Sequence, residues 1–315
     1  MSGGSGTARE RPALLDAARG GTARRRPLAA RLRDPGGALI FLLPVLVLFL
    51  VFRFIPTLGA VGMSFTNYSL GGNWHVIGGQ NYAALVRDPL FLGSLRVTVV
   101  YAAIYVPMTL VMSLATALLL HAVVFARGFF RASLFLPYAT SFVLAAVVWL
   151  WLYQYDGLIN GLLGKVHIAP VGFLSQATLV LPSLALVSAW KGFGYTMLIL
   201  VAGLNAIPVD CLEAASVDGA GAWRRFWRIR LPLLRPVLFY VLVIETIAGF
   251  QVFDTIYVMT GGGPVHASYA LVYALFDQGF QFFNLGYAST LGVVLAVLIL
   301  VVALVQRVVL DRGTA

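Results

Sequence analysis

Charge is scarce in this chain. Only 11% of its 315 residues are Asp, Glu, Lys or Arg, where a soluble domain carries about 25%. That shortage leaves no stretch with the composition of an enzyme-sized soluble domain. Cysteine is almost missing too. Cys211 stands alone, which excludes an internal disulfide and any cysteine-built metal cluster. Its plainest reading is a small residue in a helical loop. The four histidines, His75, His121, His167 and His266, are scattered without ligand spacing. A phosphate-cradling loop needs Gly-x-x-x-x-Gly-Lys-Ser/Thr. The nearest approach, Gly161 to Lys165, has the wrong spacing, and no serine sits in a nucleophile elbow. The chain therefore calls for no metal and no cofactor. If ATP drives it, another subunit supplies the hydrolysis.

What is abundant is apolar surface: 60% of the residues, with a mean hydropathy of +0.89. Runs of roughly 20 apolar residues recur, and each can cross a hydrocarbon layer of about 30 Å as a helix. Six spans are predicted, near 38–60, 93–120, 130–153, 178–206, 234–258 and 285–306. The expected fold is an all-α membrane protein. The first span reads as a retained helix and not a cleaved leader, because its apolar run exceeds the usual ~7–15 residues.

The net charge of +10 could suggest nucleic acid, but its distribution points to the membrane. Sixteen arginines lie before the first span, between the second and third, between the fourth and fifth, and after the sixth. The alternate loops hold only Arg87 and Lys165. That bias places both termini in the cytoplasm and sets the basic segments against anionic lipid headgroups, with no need for nucleic acid.

Residues 1–36, rich in Gly, Arg and Ala, read as a disordered basic tail. Residues 37–310 form the expected transmembrane domain. A short helix is expected to end at Asp88-Pro89. Pro107, Pro137 and Pro182 fall inside spans and should kink them, for packing or as hinges. Tyr269, Tyr273, Phe276, Phe280, Phe283 and Tyr287 recur at helical spacing. They read as an interfacial aromatic belt or as a lining on which sugar faces stack.

The segment 207–236 is the most informative. Pro208 closes the fourth span, and residues 209–217 can form a short helix with Leu212 and Ala215 on one face. Asp218-Gly219 suits a turn with positive φ. Trp223, Phe226, Trp227 and Ile229 interleave with Arg224, Arg225, Arg228 and Arg230, so this stretch should lie in the headgroup plane. Pro232 and Pro236 should then redirect the chain into the fifth span. The pattern Glu213-Ala214-Ala215, Asp218-Gly219-Ala220, Phe226, Ile229, Leu231-Pro232, Leu234 and Pro236 closely resembles the cytoplasmic "EAA" coupling loop of ABC-importer permeases.

The resemblance extends over most of residues 38–308. Phe130-Arg131 with Leu136-Pro137, Trp190-Lys191-Gly192, and Phe253-Asp254-Thr255-Ile256-Tyr257 with Thr260-Gly-Gly-Gly-Pro264 are similar to carbohydrate-uptake permeases of the maltose and glycerol-3-phosphate type. The resemblance implies a six-helix permease in the bacterial plasma membrane, forming half of a sugar path. It implies a second homologous permease as the partner in a heterodimer, an ATPase pair gripping Glu213, Ala214, Ala215, Asp218, Gly219 and Ala220, and an external solute-binding protein.

Two charges fall mid-span, Lys191 and Glu245. Each costs about 2.5–3.5 kcal/mol at a helix centre and should face the interior or a partner. The expectation is that both face one water-filled cavity. Similarity to the maltose member adds Gly192, Tyr195 and Gly249 to the substrate path. That member has uncharged side chains at the position of Glu245. A carboxylate there would accept sugar hydroxyls or pair with Lys191, and would disfavour an anionic substrate. Asp254 reads as a capping or packing residue. The rival reading is an ion-coupled secondary transporter using Lys191 and Glu245, which leaves the 207–231 segment without a purpose.

Overall fold

The computed structural model describes residues 35–123 and 125–311. Residues 1–34 of the expected tail lie outside them. The chain divides into two compact units, Met1–Thr57 and Leu58–Ala315. Among the described residues there is no strand, only an isolated bridge between Thr66 and Val76.

The first span is made of α1 (Pro35–Phe49), a π turn at Leu50–Phe54 and α2 (Ile55–Met63). Phe41 to Phe54 present their apolar side chains outward, as a helix solvated by lipid does. After α3 (Gln80–Leu85) comes α4 (Pro89–Ala122). Asp88 caps it, accepting the Leu90 N–H at 2.9 Å. Pro89 takes the first helical position, where its missing N–H costs nothing. The second span thus starts at Pro89, four residues before the predicted boundary at 93.

The third span differs most from expectation. Instead of one helix over 130–153, α5 (Arg127–Ala139) and α6 (Phe142–Leu152) meet at 91°. Pro137 lies two residues from the end of α5, and Ser141 starts α6 from an extended conformation. Counted as one crossing, this bent pair joins five other helices long and apolar enough to cross a membrane, making six among the described residues.

A short helix, α7 (Leu158–Lys165), leads to α8 (Val180–Asn205), the centre of the bundle. Val180, Leu184, Ala185, Val187, Ala189, Met197 and Leu200 on α8 are wholly buried. A helix apolar all round belongs in such a core. α9 (Val209–Val217) and α10 (Ala222–Arg225) follow. From Ala222 a continuous helix passes through a π turn at Phe226–Arg230 into α11 (Leu231–Phe250). The prolines therefore do not redirect the chain. The Leu231 N–H reaches back five residues to the Phe226 carbonyl, and that wide turn admits the Pro232 ring without ending the helix. The fifth span breaks instead at Gln251–Phe253, before α12 (Asp254–Met259). The chain closes with α13 (Leu271–Phe276), a π turn at Asp277–Gln281, and α14 (Leu285–Asp311).

Candidate functional site

Two breaks, in the third and fifth spans, open a cavity of about 210 Å³ against α4 and α8. Non-helical backbone is tolerated at membrane depth only where it is buried in protein or lines such a space. Tyr101, Tyr105, Tyr138, Phe142, Lys191, Gly192, Gln251 and Asp254 contribute to its wall. Of the substrate-path residues expected from sequence, Lys191 and Gly192 line it, while Tyr195, Glu245 and Gly249 stand outside the lining.

A polar network ties the surrounding helices together. The Tyr101 hydroxyl donates to Ser188 Oγ at 2.7 Å, and Ser188 Oγ lies 2.9 Å from Thr255 Oγ1. This links α4, α8 and α12. One turn on, the Tyr105 hydroxyl donates to Glu245 Oε2 at 2.6 Å, and Thr196 donates to Glu245 Oε1. Tyr101 and Tyr105 stack, their ring centroids 5.8 Å apart.

Glu245 is buried, and both its oxygens are engaged by hydroxyls. Lys191 is buried as well, but its ammonium turns to the third span. It donates to the carbonyls of Pro137, Tyr138 and Thr140 at 3.0, 2.9 and 2.7 Å. The two charges are satisfied separately, so neither needs the other. Glu245 does not line the cavity and adjoins it through the Tyr105 hydroxyl.

The glycines expected in the path have a second explanation. A Cβ on Gly249 would stand 3.2 Å from Tyr105 Cδ1 and 3.3 Å from Ala102 Cα. A Cβ on Gly192 would stand 3.3 Å from the Tyr105 hydroxyl. Both leave room for Tyr105, a wall residue that is not among those expected in the path. Its signal was there: two tyrosines four residues apart share one face of an apolar span. Tyr195 stacks on Tyr138 at 5.0 Å, outside the cavity. Asp254 sits in the first turn of α12 and is exposed.

The second candidate region is the bend after α8. In α9, Glu213 and Ala214 are exposed, while Leu212 and Ala215 are half-buried and Leu212 packs on the bundle core. Gly219 ends the helix with φ of +74°, and the Ala220 N–H returns to the Ala215 carbonyl at 2.9 Å. Only glycine takes this conformation without steric cost. Arg225 then reaches back to Ser216 Oγ at 2.5 Å, fastening the following helix to α9. The result is a short, ordered, outward-facing helix with a fixed exit.

The aromatic run also resolves. Tyr269, Tyr273, Phe276 and Phe280 pack in sequence, and Phe276 meets Phe253 and Tyr257 with centroids 5.1 and 5.3 Å apart. Helical spacing stops before Phe283, whose φ is +55°.

Residues 113–313 match the family described as binding-protein-dependent transport system inner membrane component. The chain is 35% identical over 268 residues to the sn-glycerol-3-phosphate transport system permease protein UgpA of Agrobacterium fabrum, covering 84% of this chain and 90% of that protein. It is 33% identical over 263 residues to the trehalose/maltose transport system permease protein MalF of Thermococcus litoralis, covering 83% and 89%. Its fold is shared with a bacterial alginate ABC transporter solved with an alginate pentasaccharide-bound periplasmic protein. There the TM-score is 0.78 at 24% identity, over 92% of this chain and 99% of that one. The family match does not favour the ion-coupled reading, and with it spanning residues 113–313 the chain belongs to the binding-protein-dependent transport system inner membrane component family.

Proposed function

We propose that this chain is one permease subunit of an ATP-driven importer of sugars or related polyols, paired with a second homologous permease. An external solute-binding protein delivers the substrate, and an ATPase pair on the cytoplasmic side supplies the energy. Glu213, Ala214, Ala215, Asp218, Gly219 and Ala220 form the grip for that ATPase. Lys191, Gly192, Tyr195, Glu245 and Gly249 belong to the path or support its wall. Both termini then face the cytoplasm, and residues 37–310 form the permease domain. The substrate class rests on the names of the relatives, which carry sn-glycerol-3-phosphate and trehalose or maltose.

One observation carries the coupling role: α9 projects from a membrane bundle with Glu213 exposed and its exit fixed by Gly219 at φ of +74°. A carboxylate on an exposed short helix suits a cationic partner surface. The hydrolysis itself takes place in the partner, and this chain converts ATPase closure into movement of α8 and α11.

Cys211 is the chain's one cysteine, and it is exposed on α9. A membrane-impermeant maleimide should therefore label inside-out vesicles and leave intact spheroplasts unlabelled. Gly219→Val should lose the co-purifying ATPase and ATP-dependent uptake, since a β-branched residue at positive φ costs about 1–2 kcal/mol. Gly219→Asn should keep both, because Asn tolerates this region. Labelling from the outside, or uptake by the chain alone without ATP, would overturn the reading.

A further inference from the structure

We infer that Lys191 is a positioning residue: its ammonium staples the broken third span and thereby sets Tyr138 and Phe142 in the cavity wall. It is not a ligand for the substrate. The inference goes beyond the importer reading in assigning this residue its task.

The break between α5 and α6 interrupts the helical ladder, since α6 begins only at Phe142. Thr140 itself donates its N–H and its hydroxyl to the Pro137 carbonyl, so the Tyr138 and Thr140 carbonyls are the ones that most need a donor from outside the bend. At membrane depth such groups must be satisfied by protein. The Lys191 ammonium carries three donors, and all three are spent here, on Pro137, Tyr138 and Thr140. None is left for a substrate hydroxyl. The same ammonium stands 5.7 Å from the Tyr138 ring centroid and 5.5 Å from that of Phe142. These two aromatics flank the break, and both line the cavity. One cation thus holds the backbone of the bend and the faces of its two wall residues.

The approach that allows this is written three residues further along α8. A Cβ on Gly194 would collide with the Leu134 carbonyl and come within 3.0 Å of Phe135 Cα. With glycine there, α8 lies against the backbone of α5, and Lys191, one turn away, reaches the end of that helix. Asp254 lines the same cavity, but the hydrogen bonds of Lys191 go to the three carbonyls.

The chain has two lysines, Lys165 and Lys191, so solid-state NMR can test the contact in the unaltered complex. With ¹⁵N-lysine and ¹³C-carbonyl proline, one Nζ should show a short dipolar contact to a proline carbonyl. Hydrogen exchange then tests the task in Lys191→Met, Lys191→Gln and Lys191→Arg. In Lys191→Met, amides of residues 140–146 should exchange about tenfold faster, with the rest of the bundle unchanged. Gln, with two donors, should fall between Met and the parent, and Arg should restore protection. Uptake of labelled maltose, trehalose and sn-glycerol-3-phosphate into proteoliposomes is followed in parallel. For whichever is carried, the half-saturating concentration should rise about tenfold in Lys191→Met and recover in Lys191→Arg.

The transport arm rests on the importer reading and the exchange arm does not, so failure of one is distinguishable from failure of the other. An absent dipolar contact, or unchanged exchange at 140–146 in an assembled Lys191→Met protein, overturns the inference. Should Met and Gln fail to assemble while Arg assembles, the donor requirement is upheld. Failure of all three would make Lys191 a folding requirement and overturn the positioning role.

Discussion

The Tyr105 hydroxyl donates to Glu245 across 2.6 Å, joining the second span to the fifth over a separation of 140 residues. One partner lines the cavity and the other does not. The pair therefore connects the cavity wall to α11, the helix that continues from α10 after the bend that follows α8.

Removing one partner should cost more than changing its charge. Tyr105→Phe leaves Glu245 buried with Thr196 as its remaining hydroxyl donor, a loss of about 1–2 kcal/mol. Glu245→Gln keeps an acceptor for Thr196 and an amide facing Tyr105, and should cost less than about 1 kcal/mol. The double variant should reveal a coupling of about 0.5–1.5 kcal/mol in thermal unfolding of the detergent-solubilised protein. Glu245→Gln should also raise the half-saturating substrate concentration a few-fold through the loosened Tyr105, while assembly persists. Parent-like stability and uptake in both single variants would remove Glu245 from the path and its support.

The glycines beside Tyr105 should respond unequally. A methyl on Gly249 meets the Ala102 backbone, which cannot rotate away. Gly249→Ala should lower stability by about 1–3 kcal/mol, the usual cost of overpacking. A methyl on Gly192 meets only the tip of Tyr105. Gly192→Ala should cost less than about 1 kcal/mol in thermal unfolding and act mainly on uptake. Equal losses in the two variants would mean that the backbone contact is not the limiting one.

Much of this architecture is legible without coordinates. Apolar run length places the spans, because the bilayer sets that length. Pro208, Asp218 and Gly219 bound α9 in the sequence as they do in space, because caps and positive-φ turns are local chemistry. The bend at Thr140 is different. Pro137 announces a disturbance, but the stability of a 91° break depends on donors from Lys191, 54 positions away from Pro137. Two charges in neighbouring apolar spans, Lys191 and Glu245, suggest a pair. What decides the outcome is which groups each side chain reaches, and that follows from the packing of α8 on α5 at Gly194. Pro232 misleads for a similar reason: a π turn absorbs it, and nothing in the sequence marks that turn.

Outside the spans, Tyr269 offers a test by pH. Burial first, and then its hydrogen bond to the Asp277 carboxylate, push the hydroxyl pKa above its ordinary value of 10.0. Its oxygen lies 2.8 Å from Asp277 Oδ2. A raised pKa means that the folded protein holds this proton more tightly than the unfolded chain does. The stabilisation is complete below a pH of about 10 and is lost as the pH climbs beyond it. At neutral pH, Tyr269→Phe should be less stable than the parent by about 1 kcal/mol, for the missing hydrogen bond. Between about pH 9 and pH 11 the parent should lose stability faster than the variant, and the gap between their unfolding temperatures should close. Other tyrosines titrate in both proteins and cancel in the difference. A gap that stays constant across that range would mean the Tyr269 proton is held no more firmly in the fold than in the open chain.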